Sequence, residues 1–331
     1  MADLTCLEIC AGAGGQSLGL EQAGFRHVAA VEIDADACAT LRLNRPDWNV
    51  VQGDVHELGG EEYQGVDLLA GGVPCPPFSI AGKQLGADDE RDLFPQALRL
   101  AEEIDPVAVM LENVRGLSGA RFDGYRQQVL DRLKGLGYEP DWRVLNACDF
   151  GVPQLRPRFI LVALKPGAAA HFAWPTAQAV GATVGDTLLD AMGAKGWPGA
   201  ARWAERAQGI APTLVGGSRK HGGPDLGPTR AREAWLRLSV DGRGLADAPP
   251  SATDPADRLP RLTVGMAARI QGFPGDWRFS GRKTSAYRQV GNAFPPPVAA
   301  AVGAAIQDAV AASRLASANS RAKRRRIAAA G

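Results

Sequence analysis

The amino-acid sequence predicts an α/β fold in which helices cover both faces of a mostly parallel, doubly wound sheet. Two observations predict this fold. Strand-like and helix-like segments alternate through the first half of the 331-residue chain, and turn or capping residues separate the early strands from the helices that follow them. The strand-like segments are residues 4–10, 26–32, 48–52, 66–70, 107–111, 142–146 and 158–164.

The early helices begin where a turn signal follows a strand. Gly12-Ala13-Gly14-Gly15 predicts a tight turn into a helix that ends near Gly24, and Asp34 caps a helix that runs to about Leu43. Further helices are predicted over residues 93–104 and 125–136. Parallel strands need crossover connections of this kind, so the repeated units predict one sheet.

The composition is that of a globular protein. With 45% hydrophobic and 22% charged residues and a net charge of +1, the chain can bury a sizeable core, and any basic patch must be local. Five cysteines, an odd number without CxxC spacing, argue against a disulfide framework and a thiolate zinc site. No uninterrupted apolar run is long enough to span a bilayer. We therefore expect a cytoplasmic protein without a metal or a membrane partner.

The sequence changes character after residue 165. Residues 166–260 are rich in Gly, Pro and Ala and contain four of the seven tryptophans. We expect a catalytic and cofactor-binding domain over residues 1–165, a smaller loop-rich domain over 166–284, and a segment over 285–318 that returns to the first domain. The basic tail, residues 319–331, is predicted to be disordered.

Cys75 is a candidate nucleophile. An apolar run over residues 68–70 ends at two glycines, and Cys75 follows in a stiff turn between prolines. A nucleophilic thiol needs a fixed direction, partial exposure and a nearby charge or dipole that favours the thiolate. The alternative is a small buried hydrophobe, which is the commoner role of a cysteine.

Signals after the first three strands predict a nucleoside pocket. The glycine turn over residues 12–15 allows a ligand close to the backbone, Glu32 can accept hydrogen bonds from ribose hydroxyls, and Asp54 can bind an adenine amino group. This set fits NAD or S-adenosylmethionine. The alternative is a structural turn with an exposed Glu32 and Asp54.

Glu112 and two arginines are further candidates. Glu112 follows the strand at 107–111, at the edge where parallel sheets hold ligands, so burial near a thiolate would raise its pKa and let it donate a proton. Strand alternation places Arg156 and Arg158 on one face, where a guanidinium can contact a base carbonyl or a phosphate. The alternatives are a surface or capping glutamate and a solvated turn.

These motifs, in this order, resemble those of the DNA cytosine-5 methyltransferases of the bacterial modification-enzyme type. The resemblance covers residues 4–310 except the middle of the second domain. It implies a Rossmann-like S-adenosylmethionine-dependent methyltransferase fold with a smaller, loop-rich target-recognition domain. The motifs are Ala11-Gly12-Ala13-Gly14-Gly15, Glu32, Gly53-Asp54, Pro74-Cys75, Glu112-Asn113-Val114, Gln154-Leu155-Arg156-Pro157-Arg158, Arg261-Leu262-Thr263, Gln271-Gly272-Phe273-Pro274 and Gly291-Asn292-Ala293.

The resemblance also implies residue roles. Cys75 adds to C6 of a cytosine, Glu112 contacts its N3 and exocyclic amine, and Arg158 contacts its O2. Arg156 supports the catalytic loop. The implied cofactor-binding residues are Cys10, Ala11, Gly12, Gly14, Gly15, Glu32, Ile33, Asp54, Val55, Pro74, Leu93, Asn292 and Ala293.

The implied DNA contacts are spread along the chain. A glycine-rich loop at 216–223 carries Arg219 and Lys220, which can read guanine or hold phosphate; the alternative is a solvated basic loop. The full set is Ser79, Gln84, Asn113, Arg219, Lys220, Arg230 and Arg261.

The chain departs from the family pattern in its first motif. Glu8 and Cys10 stand where an Asp and a Phe are usual, and loss of the aromatic contact is expected to weaken cofactor binding by ~1 kcal/mol. Pro76 stands where a Gln is common, in a loop that remains rich in proline.

The resemblance implies double-stranded DNA as the partner, a monomeric enzyme in the bacterial cytoplasm and nucleoid, and a cognate restriction endonuclease. Three alternatives remain. An RNA (tRNA) cytosine-5 methyltransferase has the same fold, but the Cys-Phe-Thr motif of that branch is absent from the second domain. A non-catalytic DNA-binding homologue would not need the candidate catalytic residues. A nicotinamide oxidoreductase would explain only the glycine turn and Glu32.

Overall fold

The computed structural model describes residues 4–74, 92–177, 181–216 and 225–330, with side chains through residue 322. Cys75, Ser79, Gln84, Arg219 and Lys220 lie outside the described residues. All the other candidate site residues lie within the described ranges.

Seven strands form one sheet in the order β3-β2-β1-β4-β5-β7-β6. Strands β1 to β5 pair in parallel, and β7 pairs antiparallel with both β5 and β6. The predicted mostly parallel α/β sheet is confirmed. The strands are β1 (Leu4–Ile9), β2 (Phe25–Glu32), β3 (Val50–Gln52), β4 (Leu68–Gly71), β5 (Ala108–Val114), β6 (Glu139–Asn146) and β7 (Pro157–Leu164).

Helices connect the strands and continue beyond the sheet. Asp34 begins the second helix as predicted, since its carboxylate accepts from the backbone N–H groups of Asp36 and Ala37. The helices are α1 (Gly15–Gln22), α2 (Ala35–Asn44), α3 (Phe94–Ile104), α4 (Asp123–Gly135), α5 (Pro166–Ala169), α6 (Val184–Gly193), α7 (Ala200–Arg206), α8 (Thr229–Arg237), α9 (Val264–Ile270), α10 (Lys283–Asn292) and α11 (Pro296–Ala330).

Two hydrophobic cores lie on the two faces of the sheet. Successive side chains of a strand point to opposite faces, so Cys6 of β1 packs with Val302 and Ile306 of α11, whereas Leu7 packs with Leu100 of α3. Both faces are therefore buried, as a doubly wound sheet requires.

A third core holds the region after the sheet together. It contains the buried Trp197, Trp203 and Trp235 together with Met266 of α9 and Tyr287 of α10. Most of this cluster lies in the region predicted as the second domain, and Tyr287 belongs to the segment predicted to return to the first domain.

The domain boundary expected at residue 165 differs from the packing. Trp174 packs in the core between the sheet and α11, and its indole N–H donates to Asp141 of β6 over 2.7 Å. The sequence could not indicate this, since tryptophan content alone does not say which core each ring enters. Residues 166–174 therefore pack with the sheet.

The predicted disordered tail is helical in the structure. Helix α11 continues to Ala330, and alanine, arginine and lysine, which dominate residues 311–330, are strong helix formers. Composition alone did not separate a solvated helix from a disordered segment. Residues 314–322 are exposed, so this end of α11 projects from the protein.

One stretch, Lys283–Ala322, is long and apolar enough by length and composition to cross a membrane, with 39% of its window buried inside the protein. The core helices of soluble proteins meet the same criterion. Here Val298, Val302 and Val310 of α11 are buried in the core against the sheet.

Candidate active site

A cleft with a volume of about 910 Å³ lies at the carboxyl ends of the parallel strands. Residues that follow or end β1 to β5 line one side, and residues 213–216, 288, 289 and 291–294 line the other. Of the cofactor residues implied by the resemblance, all but Gly14 line this cleft. Gly14 lies behind the turn, where a Cβ atom would approach Leu41 to 2.7 Å and Trp277 to 2.9 Å.

The glycine turn and Glu32 form one hydrogen-bonded unit. Gly12, with a φ of 57°, donates its N–H to Oε2 of Glu32 over 2.7 Å, and the N–H of Asp34 donates to Oε1 over 2.8 Å. Both carboxylate oxygens are thereby fixed in direction at the cleft wall. Each oxygen can accept a further bond, which suits a pair of ribose hydroxyls.

Asp54 and two apolar side chains extend the cleft beyond Glu32. The Asp54 carboxylate accepts from the backbone N–H of His56 over 2.9 Å and contacts its ring nitrogen at 2.7 Å. These hydrogen bonds lower the pKa of Asp54, so it is an anion at neutral pH. Ile33 is 66% exposed beside the cleft and Val55 is buried. Apolar contacts with a nearby acceptor fit a purine nucleoside such as that of S-adenosylmethionine.

Glu112 and Arg158 form a buried ion pair at the same edge of the sheet. The Nε atom of Arg158 lies 2.7 Å from Oε1 of Glu112, and the side chains are each 10% exposed. Arg158 stands on β7 opposite Val114 of β5, so antiparallel pairing brings it beside Glu112. Both residues line the cleft.

Burial controls the acidity of this pair. It raises the pKa of Glu112, although the charges of Arg158 and Arg156 oppose the change, and it lowers the pKa of Arg158. A carboxyl group with a raised pKa beside a fixed guanidinium can donate a proton or a hydrogen bond to a neutral ring. The pair can also hold an adjacent carbonyl oxygen.

Asn113 and Leu93 fix the turn that precedes Cys75. Asn113 is 5% exposed, and its Nδ2 donates to the carbonyl of Val73 over 2.7 Å. The N–H of Leu93 donates to the carbonyl of Pro74 over 3.2 Å, and Pro74 lines the cleft. The structure therefore places Asn113 in support of the turn, where it also lines the cleft.

Arg156 does not share a strand face with Arg158, contrary to the expectation, although its charge acts on the Glu112 carboxyl group. It precedes β7, is 1% exposed, and donates to the carbonyls of Leu214 (2.7 Å), Gly291 (2.6 Å) and Ala293 (3.0 Å). Strand alternation did not apply because β7 begins at Pro157. Arg156 thus joins the sheet to the opposite wall of the cleft.

The other described DNA candidates lie outside the cleft lining. Arg230 is exposed on α8, and Arg261 pairs with Asp241 at 3.0 Å. The structure also adds Gln16 and Glu8 to the lining, neither of which the sequence analysis assigned to cofactor binding. The sequence signal for these two residues was limited to the position of Glu8 within the first motif.

Comparison with known proteins decides the family. The model of the C-5 cytosine-specific DNA methylase family matches residues 4–308. The chain belongs to this family. It is accordingly a DNA (cytosine-5-)-methyltransferase, as the ordered motifs predicted.

Similar proteins are found among bacterial methyltransferases. Type II methyltransferase M.NaeI of Lentzea aerocolonigenes is 61% identical over 314 residues, 94% of this chain and 76% of that protein. Type II methyltransferase M.NgoMIV of Neisseria gonorrhoeae is 55% identical over 303 residues, 90% of this chain and 96% of that protein. DNMT2 of Spodoptera frugiperda has a similar fold, with a TM-score of 0.63 at 17% identity over 92% of this chain and 99% of that one.

Proposed function

We propose that this DNA cytosine-5 methyltransferase is the site-specific modification enzyme of a type II restriction–modification system. It transfers a methyl group from S-adenosylmethionine to C5 of a flipped-out cytosine through a covalent adduct between Cys75 and C6. The observation that carries the proposal is the buried Glu112–Arg158 pair, which faces the same cleft as Glu32, Asp54 and the turn before Cys75. The names of the two similar bacterial proteins support the restriction–modification role.

The cofactor supplies an electrophilic methyl group. Side chains of this protein make C5 of the cytosine nucleophilic enough to accept it. The Cys75 thiolate forms a bond to C6, and the displaced electron pair moves to C5, which becomes nucleophilic. Glu112 donates to N3 and Arg158 holds O2, so the charge that develops in the ring is stabilised. After methylation a base removes the proton from C5, and the bond between sulfur and C6 breaks to restore the thiolate.

Double-stranded DNA is the proposed substrate, and access to C5 requires that the cytosine leave the helix. Flipping a base costs a few kcal/mol of stacking and pairing energy, which contacts with the protein must offset. We propose that residues 166–284 recognise the target sequence and that the enzyme acts as a monomer in the bacterial cytoplasm. A cognate endonuclease would cut the same unmethylated sequence.

Methyl transfer tests the proposal directly. Purified protein is incubated with labelled S-adenosylmethionine and either unmethylated plasmid DNA or tRNA, and bisulfite sequencing maps the product. We expect modified cytosines in one short recurrent DNA sequence and none after Cys75→Ser, because serine is a far weaker nucleophile at neutral pH.

Two other results would overturn the proposal. Label on tRNA alone would identify an RNA methyltransferase. Label on neither nucleic acid, from protein that binds the cofactor, would identify a non-catalytic DNA-binding homologue. Plasmid prepared from cells that express the enzyme should resist an endonuclease that cuts the mapped sequence, which tests the restriction–modification role separately.

A further inference from the structure

Gln16 lines the cleft, and its buried side-chain amide has no hydrogen-bond partner among the described residues. It stands in the first turn of α1, is 3% exposed and lines the cleft. Neither its Oε1 nor its Nε2 has a hydrogen-bond partner among the described residues. A buried amide without hydrogen bonds is costly, so this side chain is poised for a ligand with both an acceptor and a donor.

The order of the strands locates Gln16 relative to the rest of the site. Asp54 and Glu32, which suit a nucleoside, follow β3 and end β2, at one side of the sheet. Glu112 is on β5, on the other side. Helix α1 follows β1, which lies between β2 and β4. Gln16 therefore lies between the nucleoside groups and the residues that act on the cytosine.

The surroundings of Gln16 suit a zwitterion. Glu8 is fully buried and lines the cleft; its Oε2 lies 3.1 Å from the His27 ring, while its Oε1 has no partner among the described residues. No side chain of the described residues caps α1, which begins at Gly15. An anion is favoured at a helix N-terminus and a cation beside a carboxylate. The N-terminus of α1 and the Glu8 carboxyl group, which line the same cleft as Gln16, can therefore accommodate the two charges.

We propose that Gln16 binds the amino-acid end of S-adenosylmethionine, with Nε2 donating to the carboxylate and Oε1 accepting from the ammonium group. The amino-acid end is the part of this cofactor that carries an anion and a cation side by side. The inference rests on the proposed use of S-adenosylmethionine, and it gives a specific role to a residue that the motifs did not identify.

Binding of two ligands tests the proposal. S-adenosylhomocysteine retains the amino-acid end, and 5′-methylthioadenosine lacks it but keeps the nucleoside. Calorimetry compares the wild type with Gln16→Met, which preserves the length of the side chain and removes the amide. We expect the Kd for S-adenosylhomocysteine to rise about ten- to hundredfold, the usual effect of losing hydrogen bonds to charged groups. The Kd for 5′-methylthioadenosine should not change.

Ser17→Ala is the matched control, because Ser17 is also buried in the first turn of α1 with an unpartnered hydroxyl but does not line the cleft. It should leave both affinities unchanged. Equal losses for both ligands in Gln16→Met, or no loss for either, would overturn the role of Gln16 alone. A wild-type protein that binds neither ligand would overturn the proposed cofactor, and this inference with it.

Discussion

At the scale of single residues, the site depends on a carboxyl group whose burial opposes its ionisation. Glu112 is buried on β5, so desolvation raises its pKa, and the adjacent Arg158 limits the increase. An exposed glutamate would be ionised at neutral pH and could not donate to N3 of a cytosine. Burial thereby favours the protonated form of a carboxyl group where the proposed reaction needs a proton donor.

Glu112→Gln tests this acid. The pKa of Glu112 is raised, so its protonated form is lost as pH rises through that value, and the rate of methyl transfer should fall on the alkaline side. Glutamine cannot transfer a proton, so we expect a rate about 10²–10⁴-fold lower and no alkaline decline that depends on this group. Single-turnover methylation across a pH series measures both effects.

Glu103→Gln is the control for Glu112→Gln. Glu103 pairs with Arg99 on α3, and the hydrogen bond from Arg99 lowers its pKa. It does not line the cleft, so its replacement should leave the pH profile unchanged. An unchanged rate in Glu112→Gln would contradict the proposed proton donor.

The sequence predicts residues whose role follows from chemical type and position beside a strand end. Glu32, Asp54 and Glu112 were found in this way, because parallel strands present their carboxyl ends at one edge. Gln16 was missed because an amide is significant only when its neighbours leave it without partners, and that depends on packing across the whole cleft.

At the scale of elements, a buried polar cluster joins four segments that are distant in the chain. Gln154 Nε2 donates to Gln271 Oε1 over 2.6 Å, and Gln154 Oε1 accepts from the N–H of Leu214 over 2.8 Å. Gln271 also donates to the carbonyl of Ala293, which Arg156 contacts as well. These bonds hold the wall at 288–294 against the sheet. Their partners are too far apart in the chain for local spacing to have predicted them.

Arg156→Lys should destabilise the protein strongly. Lysine has a single ammonium group and cannot reproduce the fork that reaches three carbonyls, so some buried acceptors would lose their partner. We expect the free energy of unfolding to fall by about 1–3 kcal/mol for each buried carbonyl that is left without a donor. Urea denaturation monitored by tryptophan fluorescence measures the change.

Arg132→Lys provides the comparison. Arg132 pairs with Glu102 on the surface, with both side chains about half exposed, and such pairs contribute ~0–1 kcal/mol. Similar stability losses in the two variants would show that Arg156 is not a structural link between the walls of the cleft.

At the scale of the whole molecule, α11 packs the C-terminal part of the chain against α1 and the sheet. The helix begins beside the cleft, where Phe294 lines the wall, and packs along α1 to Arg314, which pairs with Asp67 ahead of β4. It therefore crosses the sheet from the carboxyl to the amino edge. The alanine-rich stretch from about Pro297 to Leu315 predicts a helix, whereas the long-range contact with Asp67 had no signal in the sequence.

Two truncations define how much of α11 belongs to the folded unit. Removing residues 319–331 should leave the free energy of unfolding unchanged, because residues 314–322 are exposed. Removing residues 310–331 also deletes Val310, which is 1% exposed in the core, and the Arg314–Asp67 pair. Burial of a valine side chain contributes ~1.5–3 kcal/mol, so the longer deletion should lower the unfolding free energy by at least that amount. Urea denaturation of both proteins gives the comparison, and an equal loss in the two would mean that the exposed end of α11 carries contacts needed by the fold.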